Sequence, residues 1–205
     1  MQIPLLAIAS AVAINVLWGA NPVAVKIGLV AFPPLWSAFL RFAIGALCIV
    51  IWARLNKVRI WPTSQEWPGL LLLALLFVSQ ITLMNSGINM TSGASASVMT
   101  ATHPLFAGLF AHFLIAGDRM TLGKTAGLAV AFLGVGVILT GGTVPEHLSR
   151  ANFGDLVILA STFLLGGRMI WTARLVSNMD PARVMLWQML LSLGVFAAGA
   201  FMWEE

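Results

Sequence analysis

Seven apolar runs dominate the sequence, and each is long enough to cross a lipid bilayer as a helix. The hydrocarbon core requires roughly 20 apolar residues per helix. Alternating strands of about ten residues, which are typical of a membrane barrel, do not occur. The chain is therefore predicted to be an all-α, polytopic membrane helix bundle. The predicted spans are residues 5–29, 33–53, 68–86, 93–115, 122–140, 154–174 and 182–202.

Composition excludes a water-soluble domain, because 60% of the residues are hydrophobic and only 9% are charged. So few charges cannot cover the surface of so much apolar mass. The net charge of +4 is explained by topology, so we expect a lipid bilayer and no nucleic acid as partner. If the N-terminus is cytoplasmic, only Arg150 among the loop and span-end cations lies outside, which predicts that orientation. The cytoplasmic cations are then Arg54, Lys57, Arg59, Arg119, Lys124, Arg174 and Arg183.

A weak internal repeat occurs at an offset of 147 residues. The copies are shifted by five helices, an odd number, so the second copy is predicted to run in the opposite sense across the membrane. We predict a first five-helix repeat over 1–140, a linker over 141–153, and two helices of a second repeat over 154–205. The paired positions are Leu17 with Leu164, Gly19 with Gly166, Pro34 with Pro181, and Arg41 with Gln188.

Several short motifs resemble the EamA family of the drug/metabolite transporter superfamily. They are Leu17-Trp18-Gly19-Ala20-Asn21-Pro22, Lys26-Ile27-Gly28, Leu40-Arg41-Phe42, His103-Pro104-Leu105-Phe106, Gly117-Asp118-Arg119, the glycines 127, 134 and 136, and Gly154-Asp155. The resemblance implies a ten-helix fold of two inverted five-helix repeats, of which seven helices are present, in the bacterial inner membrane. It also implies transport of small metabolites between the halves. One departure is Gly166-Gly167-Arg168, where the family more often has an uncharged, aromatic-containing stretch.

Arg41 lies near the middle of the second span, where a charge is costly in lipid. It shares a small and polar stripe with Ser37, Gly45 and Cys48, so we expect it to face the protein interior. Its forked donors can bind a substrate carboxylate. The alternative is that it holds neighbouring backbone carbonyls and fixes helix packing.

Four uncharged or titratable side chains join Arg41 as candidate substrate-binding residues: Asn21, Gln80, His103 and Gln188. Such groups suit a cavity for polar or zwitterionic metabolites, but they also serve as interhelical hydrogen bonds. His103 can equally be satisfied by a threonine or a backbone carbonyl. Lys26 and Trp18 are predicted to gate or guide the substrate. Lys26, and likewise Arg168, can instead extend its long side chain to the membrane interface.

Two prolines are predicted to break helices. Pro22 would release the carbonyl of Trp18, and Pro104 would release that of Thr100. Each free carbonyl is an acceptor for a ligand or for a neighbouring helix, although a proline kink often only shapes packing.

The leading function is therefore a carrier or exporter of small, amino-acid-like or drug-like metabolites, acting by alternating access between inverted repeats. No acid lies within a span, and His103 and His112 face opposite sides of their helix, so we predict no metal site, no cofactor and no catalytic residue. A non-transporting membrane subunit or packing partner is the alternative, with an intramembrane enzyme behind it. A homodimer is also possible. Twice the repeat offset is 294 residues, so either three helices are lacking or the protein is a natural five-plus-two variant.

Overall fold

The computed structural model describes residues 5–115, 121–139 and 150–204, and the regular secondary structure there is entirely helical. Five of these helices are long and apolar enough to cross a membrane: α1, α2, α3, α7 and α8. The polytopic membrane helix bundle is thereby confirmed. The helices are α1 (Leu5–Gly28), α2 (Pro34–Leu55), α3 (Trp67–Met90), α4 (Gly93–Thr100), α5 (His103–Leu114), α6 (Leu122–Leu139), α7 (Arg150–Val176) and α8 (Pro181–Trp203).

The predicted fourth span is not one helix. It is divided into α4 and α5 by a turn at 101–102. Pro104 occupies the first turn of α5, where its missing N–H costs nothing, but the same proline in a helix interior would remove a hydrogen bond and clash with the preceding turn. The hydroxyl of Thr102 donates to the carbonyl of Met99 at 2.6 Å and closes the end of α4.

The helix break predicted at Pro22 does not occur, because α1 continues through the proline to Gly28. A membrane helix tolerates an internal proline where local adjustment and neighbouring helices satisfy the freed backbone groups. In the same stretch, the hydroxyl of Ser97 in α4 donates to the carbonyl of Gly19 in α1 at 3.1 Å. This bond joins the two helices, but its acceptor is not the Trp18 carbonyl that Pro22 releases. The predicted break at Pro104 is therefore observed, and the one at Pro22 is wrong.

Helix α3 forms the centre of the bundle and packs most extensively against α7, with α8 as a further neighbour. Glycines allow the close approach of α3 and α7. A Cβ on Gly87 would lie 2.6 Å from a side-chain carbon of Ile158, and one on Gly154 would lie 2.8 Å from the Cβ of Met90. These small residues let helix backbones meet in a membrane, where van der Waals packing drives association.

Helices α2 and α8 pack against each other in opposite directions. Each begins with a proline, and the two starting positions, Pro34 and Pro181, are 147 residues apart. The start of α2 contacts the end of α8 through Trp36 and Phe201, whose rings are 4.8 Å apart. The two helices that the predicted repeat would pair are thus antiparallel neighbours.

Two sequence predictions fall largely outside the described residues. The motif Gly117-Asp118-Arg119 is one of them, and most of the predicted linker 141–153 is the other. Within that linker range the structure describes only the start of α7, which begins at Arg150.

Candidate functional site

A cavity of about 440 Å³ opens between α1, α2, α3, α4, α7 and α8. Most of its lining is apolar or aromatic, with a small number of polar groups that converge on it, which is the usual character of a small-molecule site. The polar lining residues are Asn21, Arg41, Gln80, Thr100, Arg168 and Gln188. Four of the five substrate-binding residues predicted from sequence therefore line one cavity.

Arg41 reaches this cavity from α2. Its guanidinium lies 5.2 Å from the ring centroid of Phe42. Its Nη1 atom is buried and has no hydrogen-bond partner in the described part of the chain. Among the described residues no hydrogen bond joins Arg41 to a backbone carbonyl, as the predicted packing role would require, whereas Arg41 does line the cavity. The predicted stripe is followed only in part, because Cys48 is exposed.

Arg168 is the functional residue that sequence reasoning missed. It reaches the same cavity from α7, and its guanidinium lies 4.9 Å from the ring centroid of Phe77. Its Nε atom is also buried without a hydrogen-bond partner among the described residues. The side chain points inward instead of extending to the membrane interface. The available signal was its departure from the family's uncharged stretch.

The two guanidinium groups are joined by an aromatic pair. The rings of Phe42 and Phe77 contact each other edge to face, with centroids 4.6 Å apart. Each ring carries one cation, and the ring face attracts it electrostatically. The arrangement holds Arg41 and Arg168 on one wall of the cavity.

Repeat-equivalent positions supply much of this lining. The residue 147 positions after Asn21 is Arg168, and the residue 147 positions after Arg41 is Gln188. Each repeat copy therefore contributes one guanidinium and one carboxamide, with their positions exchanged. The sequence alone pairs Arg41 with Gln188. It does not single out the pair Asn21 and Arg168, which is evident only because all four side chains line one cavity.

Gln80 connects the cavity to the α3–α7 interface. Its Nε2 atom donates to the hydroxyl of Ser161 at 3.1 Å, and that hydroxyl donates to the backbone carbonyl of Gln80 at 2.8 Å. Its Oε1 atom is buried without a partner in the described residues, as is the hydroxyl oxygen of Thr100. The amide is fixed on one side and free to accept a hydrogen bond on the other.

Helix α1 closes the side of the cavity. Trp18, Asn21 and Pro22 lie along one stretch of it and all belong to the lining. Trp18 is about half exposed, at 49%, and its ring lies 6.0 Å from the ring of His103. This position suits the predicted guiding role of Trp18 at the cavity edge.

His103 and Lys26 lie outside the cavity lining. Nδ1 of His103 is 3.1 Å from the carbonyl oxygen of Thr100, the acceptor that Pro104 leaves without its helical partner. Nζ of Lys26 donates to the carbonyls of Ile88 and Asn89, at 2.9 and 3.0 Å. The His103 contact agrees with the backbone-carbonyl alternative raised for that residue. The Lys26 contact ties α1 to the end of α3, which was not among the alternatives raised for it.

The electrostatic character of the cavity is cationic, since none of its described lining residues is acidic. The nearest buried acid in α7 is Asp155, which accepts hydrogen bonds from the hydroxyls of Thr91 and Ser95, both at 2.7 Å. Across the described ranges, no group of three or more His, Cys, Asp or Glu side chains is placed to hold a metal ion. The arrangement can bind an organic ligand that carries negative charge.

Comparison with known proteins places this geometry in context. A model described as the EamA-like transporter family matches residues 5–140. One crystal structure has the same fold, with a TM-score of 0.70 at 20% identity. It covers 93% of this chain and 64% of the other.

Curated relatives are transporters by name. The uncharacterized transporter YvbV of Bacillus subtilis is 31% identical over 93% of this chain and 61% of its own length. The uncharacterized transporter YoaV of the same organism is 21% identical over 94% and 66%. A probable amino-acid metabolite efflux pump of Escherichia coli is 28% identical over 89% and 60%. The chain thus spans less than two thirds of the length of most of these relatives.

Proposed function

This chain belongs to the EamA-like transporter family, and from that membership we propose that it carries small organic metabolites across a membrane through the cavity between its helices. The observation that supports this most directly is the convergence of Asn21, Arg41, Gln80 and Gln188 on one cavity of about 440 Å³. The volume lies within the range of small-molecule sites. Amino-acid-like solutes are the first class to test, because one relative is named a probable amino-acid metabolite efflux pump.

The mechanism is alternating access, in which two inverted halves rock about a fixed site. The antiparallel pairing of α2 with α8 supports it, because these helices are repeat equivalents and both line the cavity. Motion of α2 relative to α8 then opens the cavity toward one side of the membrane at a time.

The membrane is the bacterial inner membrane, and the N-terminus is cytoplasmic. Basic residues concentrated on one side of the predicted topology support this orientation. A maleimide that cannot cross the membrane, applied to whole cells, tests it on single cysteines introduced in a Cys48→Ala background. A cysteine in place of Lys57 is expected to stay unlabelled until the cells are opened, and labelling of intact cells would reverse the orientation.

The transport experiment uses the purified chain in liposomes and labelled amino acids. We expect uptake above that of empty liposomes, and a loss of at least tenfold in Met185→Trp, because Met185 lines the cavity and an indole would fill it. Met202→Trp is the matched control, since Met202 lies on the same helix, is 70% exposed and is not a lining residue. Uptake equal to that of empty liposomes would contradict the carrier function, and equal uptake by both variants would move the pathway elsewhere.

Alternating access has its own test at the end of the α2–α8 pair. Residues 35 and 199 are neighbours, since a Cβ on Gly199 would lie 3.0 Å from a methyl carbon of Leu35. Cysteines are therefore placed at both positions in a Cys48→Ala background, and disulfide formation is verified by mass spectrometry before transport is measured. Oxidation is expected to stop transport and reductant to restore it, while each single cysteine stays active. Full activity of the cross-linked protein would rule out relative motion of these helix ends.

A further inference from the structure

We propose that the cavity selects small organic dianions, and that Arg41 and Arg168 each bind one carboxylate of a dicarboxylate. This inference rests on the proposed carrier function and specifies its substrate class. It starts from two cations that face the same cavity from different repeat copies.

Both cations have unused hydrogen-bonding capacity. Nη1 of Arg41 and Nε of Arg168 are buried without hydrogen-bond partners in the part of the chain that the structure describes. A buried donor without a partner costs free energy, and a charged one costs more. Arginine is not deprotonated in proteins, so the group cannot relieve this cost by losing its proton. A carboxylate is the ligand whose two oxygens match the guanidinium fork.

The surroundings offer each cation a ring instead of a counter-charge. Arg41 lies over Phe42 and Arg168 over Phe77, while no described lining residue is acidic. A ring compensates a cation only partly, because it carries a quadrupole and no net charge. Two positive charges therefore remain for a ligand to balance. A zwitterionic ligand has no net charge to offer, whereas a dianion neutralises both.

The two cations reach the cavity from different helices, Arg41 from α2 and Arg168 from α7. They are not equivalents of each other in the predicted repeat, because the residue 147 positions after Arg41 is Gln188 and the residue 147 positions before Arg168 is Asn21. The cavity thus presents two separate guanidinium groups and two carboxamides. A ligand with an anionic group at each end can contact both guanidinium groups.

The space between the cations is apolar. The Phe42–Phe77 pair separates them, and Ile81, Met84 and Leu165 add further apolar lining. A methylene spacer would bury its apolar surface there without displacing a hydrogen bond from a polar group. A dicarboxylate with an aliphatic spacer therefore matches the charge, the two ends and the middle of the cavity.

The test is a binding titration of the chain in phosphatidylcholine nanodiscs at pH 7. The dianions are succinate, adipate and suberate, and their matched monoanions of equal carbon number are butyrate, hexanoate and octanoate. We expect at least one dianion to bind at least tenfold more tightly than its matched monoanion. Arg41→Gln and Arg168→Gln are each expected to abolish this preference, Arg168→Lys to retain part of it, and Arg183→Gln, outside the cavity, to retain all of it.

Thermal unfolding of the same variants separates ligand binding from a structural role. Since neither arginine donates a hydrogen bond in the described chain, removing its charge is expected to leave the unliganded melting temperature unchanged or higher. The stabilisation by the best dianion is expected to vanish in both glutamine variants. A large fall in melting temperature on either substitution would assign that arginine to packing and overturn the inference.

The outcome is distinguishable from failure of the carrier function. If the chain transports labelled amino acids but binds dianions no better than monoanions, the carrier function stands and the dianion inference is wrong. If dianions bind in nanodiscs but neither labelled amino acids nor a labelled dianion crosses the liposome membrane, the ligand class stands and the carrier function is wrong. Retention of the dianion preference in both glutamine variants would also overturn the assignment of these two residues.

Discussion

The carboxylate of Glu204 accepts hydrogen bonds from the backbone N–H of Leu35, at 2.8 Å to one oxygen and 2.9 Å to the other. It thereby joins the end of α8 to the start of α2. Pro33 precedes α2 and provides no side-chain cap, so a residue 169 positions away satisfies donors that would otherwise be unpaired. A carboxylate at this end of the helix is also favoured by the helix dipole.

Glu204→Ala is expected to lower the free energy of unfolding by about 1 kcal/mol, since an N-terminal cap is lost from α2. Glu204→Gln keeps one oxygen acceptor but no charge, so its free energy of unfolding should fall by less than that of Glu204→Ala. Equilibrium unfolding in detergent measures both. Stability equal to that of the parent in the alanine variant would show that this contact does not contribute.

Lys26→Met is expected to lower the free energy of unfolding by about 1.5 kcal/mol, the scale of hydrogen bonds made by a charged donor. The substitution leaves the carbonyls of Ile88 and Asn89 without their donor. Lys26→Arg is the control, because it can still donate to the end of α3. Unchanged stability together with a changed KM for transport would favour the gating role over the structural tie.

Gly166→Ala is expected to destabilise the bundle by about 2 kcal/mol through overpacking. An added Cβ would lie 2.7 Å from the Cβ of Phe106 and 2.8 Å from the backbone nitrogen of Ala107, so backbone would have to move. Gly194→Ala is the matched control in a neighbouring helix, because nothing lies within 4 Å of its added Cβ. Thermal unfolding compares the two, and an equal effect would contradict close packing of α5 on α7.

Ser161→Ala is expected to cost about 0.6 kcal/mol, a typical value for a hydrogen bond between membrane helices. It also frees the Gln80 amide to rotate, since the hydroxyl both accepts from Gln80 Nε2 and donates to the Gln80 carbonyl. Transport is therefore expected to show a raised KM. Thr162→Ala is the control, because the Thr162 hydroxyl bonds within its own helix, to the carbonyl of Ile158. A KM equal to that of the parent in Ser161→Ala would show that the orientation of the Gln80 amide does not affect substrate binding.

The ion pair between Glu66 and Arg183 predicts a pH dependence of stability outside the membrane spans. The backbone N–H of Thr63 donates to the Glu66 carboxylate, and Arg183 lies 2.8 Å from it; together they hold the pKa of Glu66 below its usual range. A carboxyl group with a lowered pKa in the folded state stabilises that state above its ordinary pKa of about 4.3. This contribution is lost as the pH falls through the lowered value.

The stability difference between the parent and Glu66→Gln is accordingly expected to be constant near neutral pH and to disappear in acid. Unfolding curves at a series of pH values measure it. In an Arg183→Gln background, the difference in unfolding free energy that Glu66→Gln causes should be smaller, because Arg183 is one cause of the lowered pKa of Glu66. A difference that persists well below the ordinary pKa of Glu66 would contradict this assignment.

Much of the fold was predictable because it depends on local sequence. Helix α2 begins at Pro34 and α8 at Pro181, within one residue of the predicted limits, since apolar length and proline position act over a few residues. The fourth span was predicted as one span with a break at Pro104. The structure divides it into two helices, α4 and α5, because a proline is tolerated in the first turn of a helix and not in its interior.

The candidate site was predictable in part, because a polar side chain deep in a span is a candidate for a cavity even when it has a second role. Arg41, Gln80 and Gln188 line the cavity, although Gln80 also makes the interhelical hydrogen bond that was its alternative. Arg168 and His103 were harder to assign, because each had an alternative away from a cavity: the membrane interface for the first and a backbone carbonyl for the second. In the structure, His103 contacts the backbone carbonyl of Thr100, whereas Arg168 lines the cavity and does not extend to the membrane interface.

The sequence by itself determined that the chain is a membrane helix bundle, because hydropathy is a property of the chain alone. The 147-residue offset predicts, in addition, that some of these helices are related by an inverted repeat. The tertiary structure decided which polar groups meet. The antiparallel packing of α2 on α8 and of α3 on α7 sets the rotation of each helix, and that rotation turns Arg41 and Arg168 toward the same cavity. Contacts between residues more than 100 positions apart depend on how several helices pack together. The sequence of one span does not determine that packing.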